Sequence, residues 1–211
     1  MVFYYKVVLE REYEQDEEYT IYLGKDKFEN YELVNHSNKN HLWFHVKDLS
    51  SAHLYLQYED FNNVPQELLT IIGQLTKFNS IKGNKLPSVK IIYTPVYNVY
   101  NSNTSLQDKG IVSFHNENLV KTYEIGKKDN MILNKLNKSK SEISTDDFIK
   151  QQQEQLRIIK DKQRKLEQQQ KQFALEQKKI KKTGGYDDLF KNTEGTSNEA
   201  RNENWDEDEF W

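Results

Sequence analysis

At 211 residues the chain can hold one domain with extensions or two small domains, but only 36% of it is apolar, against the roughly 45–50% usual for a globular protein. With 30% charged residues, eight glycines, three prolines and no cysteine, it is neither collagen-like nor a disulfide scaffold, and it has no thiol nucleophile or Cys-based zinc or iron–sulfur site. The net charge of −3 hides three unlike segments: −2 over residues 1–137, +6 over 138–182 and −7 over 183–211.

The head holds nearly all the aromatic and β-branched residues. Val2 to Leu9 and Tyr19 to Leu23 read as strands around an acidic turn region, Glu10 to Glu18, and Gly24 ends the second strand. Asp26 is placed to cap a helix running to about His36. Leu42 to Val46 and His53 to Tyr58 are strand-like and flank a polar turn, Lys47 to Ser51. Pro65 opens an amphipathic helix whose apolar face is Leu68, Leu69, Ile71, Ile72, Leu75 and Phe78. Val89 to Thr94 is a strand. Ile111 to His115 and Leu119 to Ile125 read as a hairpin turned by Asn116 to Asn118, and a helix over about 128–138 follows. The order ββαββαβββα predicts an α+β domain over residues 1–140, with a mixed, mostly antiparallel sheet and packed helices.

Residues 146–182 contain no Pro or Gly and predict one long basic helix, single or weakly paired. Ile159, Leu166, Phe173 and Ile180 repeat every seven residues, but the matching heptad position holds Leu156 and then Gln163, Gln170 and Gln177. Thr183-Gly184-Gly185 stops the helix, and 183–211 reads as a disordered acidic tail. At its tip Trp205, Phe210 and Trp211 sit among acids, the pattern of a short partner-binding motif. No run approaches the ~18–20 apolar residues of a membrane span, and Met1 to Lys6 lacks the pattern of a signal peptide. A soluble intracellular protein, cytoplasmic or nuclear, is expected.

Candidate chemistry concentrates in His41 to His53. A metal reading uses His41, His45 and His53; a hydrolase reading uses Ser51, His53 and Asp48. Neither has a recognised ligand spacing or a nucleophile elbow, so no metal, cofactor or catalytic residue is assigned. Lys25 and Lys27 stand at a strand–helix junction, where a helix N-terminus favours anions, although a solvated turn accounts for them too. Lys77, Lys82, Lys85 and Lys90 form an acid-free basic stretch with Tyr93 and Tyr97 just beyond. Lysines neutralise phosphates and tyrosines stack on bases, but a solvated loop after a helix has the same composition.

The run Gly24-Lys25-Asp26-Lys27-Phe28-Glu29-Asn30-Tyr31-Glu32-Leu33, then Leu42-Trp43-Phe44-His45-Val46, Ser51-Ala52-His53, Val89 to Pro95 and Gly110 to His115, resembles the NFACT-R domain family. The resemblance implies a non-enzymatic module that binds nucleic acid, RNA or DNA, in association with the ribosome or translation quality control. It puts the candidate surface at Gly24, Lys25, Asn30, Trp43, His45 and His53, to which Lys27 and the basic stretch add charge. Two departures stand out. Ser50-Ser51-Ala52-His53 replaces the family's Pro-Gly-Ser-His, and Val99-Tyr100-Asn101 stands where the family pattern carries a lysine pair. The rival readings are a protein-interaction adaptor acting through the helix and tail, and an enzyme acting on RNA through His45 and His53.

Overall fold

Period-two alternation decides which side of the sheet each strand residue serves. In β1 (Val2–Leu9), Tyr5, Val7 and Leu9 enter one core while Val2 enters the other. These elements come from a computed structural model that describes residues 1–9, 15–102 and 111–182. The chain forms two units, Met1–Arg157 and a second beginning at Ile158.

In the first unit β1 pairs antiparallel with β2 (Glu17–Gly24), Val2 opposite Gly24. The Asp26 carboxylate caps α1 (Lys27–His36), accepting from the amides of Phe28 at 2.7 Å and Glu29 at 3.3 Å. β3 (Leu42–Val46) and β4 (Leu54–Leu56) form a hairpin, Trp43 opposite Tyr55. Its turn relies on Asp48 in the left-handed region (φ 58°) and on Ser51, whose hydroxyl accepts from the Val46 amide at 3.1 Å. Of the two serines that stand at the family's Pro-Gly, Ser51 bonds to the turn's backbone through its side chain.

α2 (Gln66–Phe78) leads to β5 (Val89–Pro95), β6 (Val99–Asn101), β7 (Val112–Phe114), β8 (Lys121–Ile125), α3 (Asn130–Lys138), β9 (Ser141–Ile143) and α4 (Thr145–Lys182). Seven strands make one sheet in the order β8-β5-β3-β4-β2-β1-β9, antiparallel at every pairing, while β6 and β7 form a separate ribbon.

Leu68, Ile72 and Leu75 of α2, with Leu133 and Leu136 of α3, cover one face against Leu42, Phe44, Val46, Leu54 and Leu56. Each such side chain contributes roughly 1.5–3 kcal/mol by leaving water. Gly73 lets α2 lie close to β8: a Cβ there would stand 2.5 Å from Ile125 Cδ1. The other face carries Tyr22, Trp43 and Tyr55, covered by Leu33 and Val34 of α1, Val96, Val99 and Phe148. The unit thus takes in β9 and the first turns of α4, where Phe148 is buried and buried Gln152 accepts from the Asn38 amide at 3.2 Å.

The expected hairpin over 111–125 does not form. β7 pairs with β6, and β8 pairs with β5. Buried Asn98 explains the separation: its amide nitrogen donates to Thr94 Oγ1 and to the Asn116 carbonyl, each at 2.9 Å, and its oxygen accepts from the Asn116 amide at 2.8 Å. That clamp holds Asn116 against the β5–β6 crossover. A short 3-10 turn, Glu117–Leu119, then redirects the chain to the far edge of the sheet.

In the second unit α4 exposes Ile158, Leu166, Phe173 and Leu175. Among the described residues no helix is long and apolar enough to cross a membrane. The expected helix stop at Thr183, the disordered tail and the tip residues Trp205, Phe210 and Trp211 lie outside the described residues, as do residues 10–14 of the acidic turn and the side chain of Ile180.

Candidate nucleic-acid interface

Alternation on β3 sends Trp43 and His45 to the same side of the sheet, away from the α2 core. Pairing sets Ile92 of β5 beside His45, and His53 arrives just before β4. The rings nest. Trp43 and His45 stack at 5.5 Å with 7° between planes, and His53 meets both edge-on at 5.3 Å. Phe114 of β7 closes on Trp43 at 5.7 Å. Above them opens a cavity of about 500 Å³, with Lys27 and Asn30 of α1 on one wall, Ser50 and Ser51 on another and Ile111 and Val112 on a third.

Trp43 and His53 are 1% and 3% exposed, so they form floor rather than surface. Burial, with a smaller contribution from neighbouring His45, pushes His53 down to about 3. Burial also lowers His45, partly opposed by backbone hydrogen bonds to Val46 and Ser51. Both imidazoles are therefore neutral at physiological pH. They do not act as phosphate-binding cations; they offer hydrogen-bonding edges and ring faces. Three polar atoms of the lining side chains are buried with no protein hydrogen-bond partner: Asn30 Oδ1, Trp43 Nε1 and His53 Nδ1.

Gly24 contributes by what it lacks. A Cβ at this position would stand 2.7 Å from Asn30 Oδ1 and 2.9 Å from Glu29 Cβ, so Gly24 sets where the Asn30 amide sits. Gly24→Ala is expected to cost about 1–3 kcal/mol and to displace Asn30. Urea unfolding and the Asn30 amide resonances check this; wild-type values for both would show that α1 yields freely. Lys25 is exposed, its amide donating to the Met1 carbonyl at 3.2 Å. Lys27 opens α1 at the cavity, with its ammonium 5.3 Å from the Phe28 ring centroid.

The basic stretch divides. Lys82, Lys85 and Lys90 are exposed. Lys77 is not: it is 1% exposed, and its ammonium donates to the carbonyls of Gly126 at 2.6 Å and Pro87 at 3.1 Å. It ties the end of α2 to the start of β5 and to the residue after β8, and so leaves the candidate surface. Tyr93 leaves it too, stacked on Phe44 at 5.4 Å in the α2 core, whereas Tyr97 is exposed.

The stretch is joined to the cavity wall. Ser80 Oγ donates to the Ser50 carbonyl at 2.6 Å, and the Ala52 amide donates to Asn79 O at 3.2 Å. Lys47, absent from the expected set, belongs with Lys90: its amide donates to the Lys90 carbonyl at 2.8 Å, and both line a second hollow. Ile92 and Phe114 were also absent from the expected set. Strand register beside His45 marks the first; the Gly110 to His115 motif contains the second.

The groups named by the metal and Ser51 hydrolase readings are engaged elsewhere, whereas His45 and His53, named by the RNA-enzyme reading, do share the cavity. His41 is buried with Nδ1 at 2.9 Å from the Tyr22 hydroxyl, and no three metal-binding side chains gather among the described residues. The Ser51 hydroxyl donates to the Ala52 carbonyl at 3.1 Å while accepting from Val46, so it is committed to the turn.

Residues 1–116 match the family described as "NFACT protein RNA binding domain". The chain is 43% identical over 127 residues to coiled-coil domain-containing protein 25 of Bos taurus, covering 59% of this chain and 60% of that one. It is 40% identical over 149 residues to the Dictyostelium discoideum homolog of that protein, covering 69% and 68%. To Protein JLP2 of Saccharomyces cerevisiae it is 36% identical over 149 residues, covering 68% and 69%. The match thus spans about three fifths of the length of the bovine relative. A solved structure, the C-terminal part of the fibronectin/fibrinogen-binding protein from Streptococcus suis, aligns with a TM-score of 0.48 at 20% identity, over 65% of this chain and 48% of that one. A match over more than half the chain, carried through the residues that build the cavity floor, places the protein in the NFACT-R, or NFACT RNA-binding domain, family.

Proposed function

We propose that the chain binds RNA without catalysing a reaction on it, as a cytoplasmic or nuclear module associated with the ribosome or with translation quality control. The observation that carries this reading is the cavity on the Trp43–His45 face, rimmed by Lys27 and lying within the residues that match the RNA-binding family. The wall joined to it leads to exposed Lys82, Lys85 and Lys90, with Lys47 alongside. Lysines placed this way track a phosphate backbone by releasing counterions, and DNA offers them the same charge. Neutral histidines suit a binding floor better than a proton-transfer pair.

Reversing Lys82, Lys85 and Lys90 to Glu is expected to weaken binding to single-stranded RNA. The log–log salt dependence should flatten by roughly 0.7 for each phosphate that the protein no longer neutralises, about 2 in all. Fluorescence anisotropy between low and moderate salt measures it, with DNA of the same sequence in parallel. An unchanged slope with native circular dichroism would remove these lysines from the interface.

The adaptor reading draws on Ile158, Leu166, Phe173 and Leu175, exposed along α4. It would be favoured if the full chain captured a protein partner, lost it on mutation of those four residues to Ser, and showed no salt-dependent RNA binding.

A further inference from the structure

Buried polar atoms without partners are costly to leave so, and native proteins keep few of them. Here Asn30 Oδ1, Trp43 Nε1 and His53 Nδ1 belong to side chains 8%, 1% and 3% exposed that line one cavity. They come from three separate parts of the chain, α1, β3 and the approach to β4, so no single local turn accounts for them. Together they describe an occupant that brings its own hydrogen-bonding groups.

The chemistry of the three atoms narrows that occupant. Indole Nε1–H only donates, the Asn30 amide oxygen only accepts, and His53 Nδ1 does either according to tautomer. The occupant must therefore carry an acceptor and a donor close together. It is not an anion: the two imidazoles are neutral, and Lys27 is the one cation among the described lining residues. The walls are ring faces and branched apolar side chains, from Trp43, His45, Phe114, Ile92 and Val112. Flat neutral rings whose edges mix donors and acceptors fit such walls, and the nucleobases have this form. A base inside a duplex has both faces stacked and its edge paired, so only an unpaired base can enter this cavity and present its edge to the floor.

We infer that this cavity receives one unpaired nucleobase of a single-stranded RNA, with its edge hydrogen-bonded by Asn30, Trp43 and His53 and its phosphate at Lys27. This rests on the RNA-binding reading and adds to it that recognition is of a base, not of backbone charge alone. Gly24 belongs to the same device, because it fixes the Asn30 amide.

The test compares a single-stranded RNA of about ten nucleotides with an abasic strand of the same length and backbone, using the full chain at one fixed salt concentration. Stacking and edge contacts to one base are expected to make the base-bearing strand bind at least about tenfold tighter. In ¹⁵N-correlated spectra the indole N–H signal of Trp43, assigned by its loss in Trp43→Phe, should move with the base-bearing strand and stay in place with the abasic one. Asn30→Ala should bring the base-bearing strand down to abasic affinity while leaving the salt slope unchanged. The comparison of strands needs no variant, so it stands even if Trp43→Phe or Asn30→Ala fails to fold. Equal affinity for both strands with an unmoved Trp43 signal would overturn the inference and leave the RNA-binding reading intact. Salt-sensitive binding of neither strand would overturn both.

Discussion

Lowering the pH from 7.5 to 5 is expected to destabilise the Met1–Arg157 unit by about 4 kcal/mol, a large part of the roughly 5–15 kcal/mol that holds a domain folded. The cause is the burial of His41 and His53, which pushes them down to about 4 and about 3. Unfolded, each takes a proton near pH 6.5; folded, each is still mostly neutral at pH 5. Between these limits the unfolded chain binds more protons, so stability is full above about 6.5 and falls as the pH drops. At pH 5 each histidine contributes about 2 kcal/mol of that loss, from 1.36 kcal/mol per pH unit. His45 is lowered as well and acts in the same direction. Urea unfolding at a series of pH values reads the slope directly. Stability that stays flat between pH 7.5 and 5 would show that the buried rings take up protons in the native state.

Lys77→Glu should unfold or nearly unfold the same unit, at a cost above about 4 kcal/mol. The ammonium it replaces is buried and donates to two carbonyl oxygens, and burial pulls it below the ordinary lysine range. A carboxylate there would face the same oxygens with no proton to give and with its own charge unsolvated. Lys77→Met removes the charge as well and strands two acceptors, at about 1–3 kcal/mol. Lys82→Glu and Lys85→Glu, on exposed positions, should stay within about 0.5 kcal/mol of wild type. Thermal or urea unfolding of the four variants tests the contrast, which disappears if Lys77→Glu melts with the surface pair.

That contrast also shows where sequence patterning reached and where it stopped. The caps and long elements were legible because their causes are local. Asp26 precedes a helical run, α2 has a wide apolar face, and the β3 sequence places Trp43 and His45 two apart. The charge of Lys77 suggests a surface role, but its position on α2 buries it. It lies four residues after Gly73, on the face that packs against β8, so helical spacing held the signal. The hairpin error was of another kind. Val112 to Phe114 and Lys121 to Ile125 are both good strands, but their partners are chosen by the Asn98 clamp, which joins residues distant in sequence. β6 and β9, three residues each, are too short to show a period. In the cavity, Trp43, His45 and His53 were legible as a cluster through the hairpin. Asn30 joins them only through the family resemblance, and no local pattern tells that Phe114 completes the cavity.

The pairing of β1 with β9 has a consequence for how the protein is made. Val2, Phe3 and Tyr4 lie opposite Ile143, Glu142 and Ser141, and Ser139 continues the seam by bonding to the backbone of Lys6. During synthesis one edge of β1 therefore waits for a partner encoded roughly 140 residues later. At 5–20 residues per second that is a delay of roughly 7–28 s. During it, β1 presents open N–H and C=O groups that any other extended chain could pair with. Such long-range closure also slows the final folding step, since the chain entropy is lost before the contacts form. Synthesis that pauses before residue 143 thus leaves this edge of β1 open, and a chaperone that shields the β1–β2 hairpin would cover it in that interval.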